Sequence, residues 1–164
     1  MLDLGRVGMF GHSLGGAAVA STMLVDPRIR AGADLDGLLF GRVRTSGLSH
    51  PFMLMTAEPG FAAEPNLSAF WNSLRGPHYA VDVRDAHHFA FSDLVFFVPQ
   101  LIKANPAAGQ AARLEVGKLD GPATLAAERA YLLAFFNRFL QGQQEPLLAH
   151  APGPFAGVRL TIGP

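Results

Sequence analysis

Ser13 stands in Gly11-His12-Ser13-Leu14-Gly15, His87 and His88 stand side by side, and between them Asp36 and Glu58 each close an apolar run. These are the residue types of acyl transfer. A serine hydroxyl becomes a useful nucleophile only when a base takes its proton, and that base needs a carboxylate to hold its tautomer. The order serine, acid, histidine along a chain is one in which such sets occur. Both histidines directly follow an apolar run, so position alone leaves the choice of base open, as it does the choice between Asp36 and Glu58. Asp34, two residues before Asp36, reads as a hydrogen-bonded structural carboxylate deeper on the same strand face. Asp82 and Asp85 are too near the histidines in sequence to orient them and read as solvent-facing charge. His12 reads as a packing residue that faces away from the serine across the turn. No third ligand accompanies the histidine pair at a metal-site spacing, and no Gly-Lys-Ser/Thr follows the glycines as a phosphate loop requires.

The serine motif fits G-x-S-x-G, in which a strand turns sharply into a helix and lifts the hydroxyl into a strained, exposed position. Glycines at both flanks are expected because a Cβ there would meet the neighbouring strand and helix. The elements that such a turn needs are legible. Arg6–Phe10 reads as a short buried strand, and Ala17–Val25 as a helix stopped by Asp26-Pro27. Further strands are expected at Ile29–Leu35, at 51–57 and in "HYAVDV", where Tyr79, Val81 and Val83 alternate with smaller or polar residues. Helices are expected at Asn66–Leu74 and at Pro122–Leu140, the second with Leu125, Leu132, Phe136 and Phe139 or Leu140 on its packing face. Strands alternating with helices predict an α/β fold, a mostly parallel sheet with helices on both faces. The stretch from 146 to 164 is rich in Pro and Gly and is expected to be loosely ordered, apart from a short strand at Val158–Ile162.

The chain has 164 residues, 49% hydrophobic and 16% charged, enough for one domain with a buried core. Its 13 basic and 13 acidic side chains cancel, which argues against nucleic acid or another polyanion as partner. Cysteine is absent, so disulfide and thiolate chemistry are excluded. There is no basic and apolar leader at the start and no run of about 18 apolar residues to span a bilayer, so a cytoplasmic location is the default expectation for the chain as written. A longer parent could be secreted.

The segments "FGHSLGG", "DPRIRAGADLDGLLF" and "HHFAFSD" together resemble the α/β-hydrolases similar to platelet-activating factor acetylhydrolase, of the monomeric plasma and type II kind. The resemblance covers roughly residues 4–102, and "AERAYLLAFFNRFLQG" is similar to the last helix of bacterial members. It implies Ser13 as nucleophile, Asp36 within "DLDG" as acid, and His88 as base, with Phe91 and Asp93 matching the positions downstream of that histidine. It also implies hydrolysis of short or oxidised acyl groups from phospholipid-like esters without calcium or another cofactor. The backbone N–H of Leu14 would be one oxyanion donor. In such hydrolases the elbow follows the fifth strand and the second donor comes from a loop after an earlier one. The resemblance therefore implies that residues 1–145 are a C-terminal portion of the domain, from elbow to last helix, followed by the tail. The elbow strand would then have an open edge through which the chain could self-associate. Two other readings stand beside this one: a carboxylesterase or polyester hydrolase of the same fold, with Glu58 or other pocket walls, and an inactive domain that acts only by association. Residues 38–50 leave no room for a helical lid, and Phe89, Phe91 and Trp71 are expected to form an apolar rim.

Overall fold

The computed structural model of the chain describes residues 3–118, 120–151 and 153–164. Five strands form one sheet in the order of the sequence: β1 (Val7–His12), β2 (Ile29–Leu35), β3 (Phe52–Thr56), β4 (His78–Val83) and β5 (Val158–Ile162). The first four are parallel and β5 pairs antiparallel with β4. The fold is α/β, with helices on both faces. Helices α1 (Leu14–Val25), α2 (Val43–Ser46) and α3 (Pro65–Ser73) cover one face, and α6 (Gly121–Gln141) covers the other.

Burial on both faces accounts for the strand sequences. All six residues of β4 and all five of β3 are buried, so the expected alternation in "HYAVDV" is one of size and not of exposure. Tyr79, Val81 and Val83 pack with Tyr131 and Phe135 of α6, while Ala80 joins Phe52, Leu54 and Phe70 on the opposite side. Fully burying side chains such as Phe52 or Phe135 stabilises the fold by roughly 1.5–3 kcal/mol each. Of the residues expected on the packing face of α6, Leu132 is buried and Phe136, Phe139 and Leu140 pack against the core, while Leu125 is 36% exposed; the buried stripe also takes in Thr124, Ala127, Tyr131 and Phe135. That spacing is helical too.

Three further differences from the sequence reading have physical causes. Asp82 is buried, because its carboxylate accepts from the Thr56 hydroxyl, from the Phe61 amide and from the Arg159 guanidinium. Those bonds tie β3, β4 and β5 together. The stretch after Pro146 is anchored by Leu148 and Leu160, both buried in the α6-side core, and by β5 at the sheet edge. Helices α4 (Leu94–Ala104) and α5 (Pro106–Val116) form a hairpin that the sequence reading did not find. Pro99 inside α4 argues locally against a helix, yet the helix continues through it. Asn105 turns the chain by accepting from the Ala108 amide, and Gly109 lets α5 lie against the backbone of Ile102.

β1 is an edge strand, with no partner on its outer side among the described residues, and Phe10 on it is 58% exposed. Among the described residues no helix is long and apolar enough to cross a membrane.

Candidate active site

All the strand-end loops that matter here leave the sheet at the same edge, the carboxyl ends of β1 to β4, where ligands bind in parallel sheets of this kind. Register places them side by side: His12 lies opposite Leu35, Leu35 opposite Met55, and Thr56 opposite Asp82. The next residues therefore converge. The Ser13 amide still donates to the Leu35 carbonyl, and the Asp36 amide to that of Met55, so each turn begins from a backbone held by its neighbour.

Ser13 adopts φ 59° and ψ −126°, left-handed backbone that a non-glycine residue holds only where its surroundings impose it. Packing around the turn supplies that constraint. A Cβ on Gly11 would come within 2.6 Å of the Gly15 backbone, and one on Gly16 would fall on the Asp34 carboxylate. Gly15 has nothing within 4 Å of its Cβ position, so the second crowded glycine is Gly16 rather than the Gly15 of the five-residue motif.

The structure brings Ser13, Asp36 and His88 into one relay. Ser13 Oγ lies 2.9 Å from His88 Nε2, and His88 Nδ1 lies 2.8 Å from Asp36 Oδ2. A carboxylate can only accept, so Nδ1 carries the proton and Nε2 is left to accept from the serine. The other Asp36 oxygen accepts from the Ala57 amide at 2.8 Å, which fixes the carboxylate from the β3 side. Asp36 itself takes a positive φ of 56° to turn its side chain toward the histidine. Leu14 opens α1 and lines the cleft, so its amide is one of the first-turn donors without a helical acceptor, at the positive end of the helix.

The remaining candidates fall elsewhere. His87 is exposed and donates from Nδ1 to the Leu114 carbonyl at 2.6 Å, tying α5 to the loop before His88. Glu58 lines the same cleft as Ser13 and makes no hydrogen bond to His88. His12, expected to face away, instead lies against His88: its Nε2 is 2.8 Å from the His88 carbonyl, and the two rings are 4.6 Å apart. The last residue of β1 points up beside the elbow, and sequence spacing held no sign of where the His88 loop would cross it. Of the expected rim, only Phe89 is exposed. Phe91 is buried and Trp71 packs between Phe61 and His78, whereas Leu14, Leu38 and Phe40 supply exposed apolar surface around the serine. The cleft they line measures about 510 Å³. Its wall between β2 and β3 carries only the one-turn α2.

Asp34 is 1% exposed; one oxygen accepts from the Gly37 amide at 2.9 Å and the other has no partner. Burial raises its carboxyl pKa well above the ordinary value, against the lowering effect of the Gly37 bond, and the neighbouring Asp36 charge adds to the rise. The native state thus holds this proton to higher pH than the unfolded chain does. Stability from that preference is complete below the ordinary carboxylate range and is lost as pH rises through the native pKa. Asp34→Asn, which keeps the acceptor for Gly37, is therefore expected to match or exceed the parent Tm at pH 7 and to lose that advantage toward pH 4. A variant less stable at pH 7 than at pH 4, relative to the parent, would contradict this.

A mostly parallel sheet that carries a serine elbow at its carboxyl edge, with helices on both faces, is of the α/β-hydrolase type. The chain belongs to the platelet-activating factor acetylhydrolase, isoform II, family, which it matches over residues 1–145. It is 30% identical over 158 residues to a probable 1-alkyl-2-acetylglycerophosphocholine esterase of Arthroderma benhamiae, covering 87% of this chain and 40% of that protein. It is 28% identical over 143 residues to a platelet-activating factor acetylhydrolase of Cavia porcellus, covering 85% of this chain and 31% of the other. A solved ferulic acid esterase from Streptomyces cinnamoneus superposes with a TM-score of 0.81 at 28% identity, over 99% of this chain and 48% of its own. The chain thus spans less than half the length of each of these relatives.

Proposed function

We propose that this chain carries the catalytic triad of a carboxylic-ester hydrolase, with Ser13 as nucleophile, His88 as base and Asp36 as the carboxylate that orients it, acting on short acyl esters of phospholipid-like substrates. The observation that carries the reading is the continuous Ser13–His88–Asp36 relay at 2.9 and 2.8 Å on a strained elbow. Ser13 Oγ attacks the ester carbonyl as His88 Nε2 takes its proton. The developing oxyanion is met by the Leu14 amide at the start of α1. His88 then returns the proton to the leaving alcohol, and a water activated by the same nitrogen hydrolyses the acyl-enzyme. The Asp36 carboxylate holds the imidazole tautomer and stabilises the imidazolium that forms.

The substrate class is supported by the relatives. The Arthroderma protein is named for an acetyl ester on a glycerophospholipid, and the cleft around Ser13 is open and edged by Leu14, Leu38 and Phe40. A second reading, hydrolysis of aryl esters, is favoured by the similarity to the ferulic acid esterase. One experiment separates them: kcat/KM for a short-chain phospholipid analogue and for aryl esters, each with acyl groups from acetyl upward. The expected result is a preference for the phospholipid analogue, with acetyl and propionyl favoured and no activation on dispersed long-chain triglyceride. Preference for aryl acetates would select the second reading. A marked rise on long-chain emulsions would overturn the short-acyl assignment, since a lid that closes over a long chain needs more than a one-turn α2.

A further inference from the structure

We infer that His12 is a positioning residue for His88, holding the base in line with Ser13 through its backbone carbonyl and its ring face. The inference rests on the triad reading above. His88 does not sit on a regular strand or long helix. It opens a four-residue 3-10 turn, His88–Phe91, that follows a loop in which Asp85 takes a φ of +60°. Such a segment leaves the imidazole dependent on contacts from other elements.

His12 supplies them from the most regular position available. It is the last residue of β1, paired in register with Leu35, and is the immediate neighbour of Ser13. Its Nε2 lies 2.8 Å from the His88 carbonyl oxygen, which can only accept, so His12 carries its proton on Nε2 and donates it there. Its ring lies against the His88 ring at 4.6 Å, tilted by 37°, and Phe89 and Phe91 close around it at 6.0 and 6.4 Å. One rigid strand end thus carries the nucleophile and grips the base. Burial lowers the His12 pKa, an effect opposed by the bond to His88, with His88 lowering it further and Asp36 raising it. A neutral His12 adds no repulsion when His88 becomes an imidazolium.

A phenylalanine at position 12 would fill the same space but leave the His88 carbonyl without this donor, and a glutamine would restore an amide donor at similar reach. The test is steady-state hydrolysis of a short-chain ester by His12→Phe and His12→Gln beside the parent and Ser13→Ala. Misplacing a reacting group by about 1 Å costs about 10²-fold, so His12→Phe should lose about 10- to 100-fold in kcat with KM nearly unchanged, and His12→Gln should recover most of it. Parental kcat in His12→Phe, or equal losses in both variants, would overturn the inference. Hydrolysis that survives in Ser13→Ala would instead overturn the triad reading beneath it. Nitrogen-15 NMR of the parent keeps the question open to refutation even if a variant fails to fold. A neutral His12 protonated on Nε2 at pH 7 is expected, and protonation on Nδ1 alone would overturn the inference.

Discussion

Alanine at Ser13 or at His88 is expected to remove nearly all ester hydrolysis, each costing about 10⁴- to 10⁶-fold in kcat, because members of a triad act as a unit and the loss of one disables the others. Among the described residues, the base hydrogen-bonded to Ser13 Oγ is His88, through Nε2 at 2.9 Å. His87→Ala provides the contrast. Its imidazole is committed to the Leu114 carbonyl, away from the serine, so its loss should loosen the α5 attachment and leave most of the activity. The measurement is kcat for the three variants, with far-UV circular dichroism to confirm that each is folded. Comparable losses for His87→Ala and His88→Ala would assign the base wrongly.

Asp36→Asn should lower kcat by about 10⁴-fold with little change in folding, because an amide in place of the carboxylate favours the wrong tautomer of the base. The geometry makes the expectation specific. One Asp36 oxygen accepts from His88 Nδ1 and the other from the Ala57 amide. An asparagine can keep one of those two acceptors and must present its NH₂ to the other partner. Glu58→Gln should have only a modest effect, since that carboxylate lines the cleft without bonding His88. A large loss confined to Glu58→Gln would move the orienting acid to the end of β3.

Much of the architecture was legible because local signals agreed with one another. The run Ile29–Leu35 and the run Val158–Ile162 are strands at the bounds that their sequences suggest, and the Gly-rich turn between a short strand and a helix is where the pattern puts it. Helix α6 was visible from its length and caps, and Leu132, Phe136, Phe139 and Leu140 on its packing face were visible from their spacing, but Tyr131 and Phe135 at its centre were not. Their burial is set by their fit to the sheet, which periodicity does not specify. The α4–α5 hairpin was hidden by Pro99 and by the weak patterning of "PAAGQAARLEV". Among the candidate residues, the elbow that carries Ser13 was legible from its motif, while the preference for Asp36 over Glu58 and for His88 over His87 rested on the family resemblance. Spacing along a chain does not report which strand-end loops meet. For the same reason the Arg159 partner of Asp82 and the His88 partner of His12 escaped notice, since each contact forms only when segments more than 70 residues apart come together.

The most direct test of the account is to titrate the chain with an active-site organophosphonate and map the adduct by peptide mass spectrometry. The account predicts one phosphonyl group per chain, on Ser13, with hydrolysis of a short-chain ester falling in proportion to labelling, and no adduct in Ser13→Ala. Labelling at another residue, or ester hydrolysis that persists after Ser13 is fully modified, would contradict it.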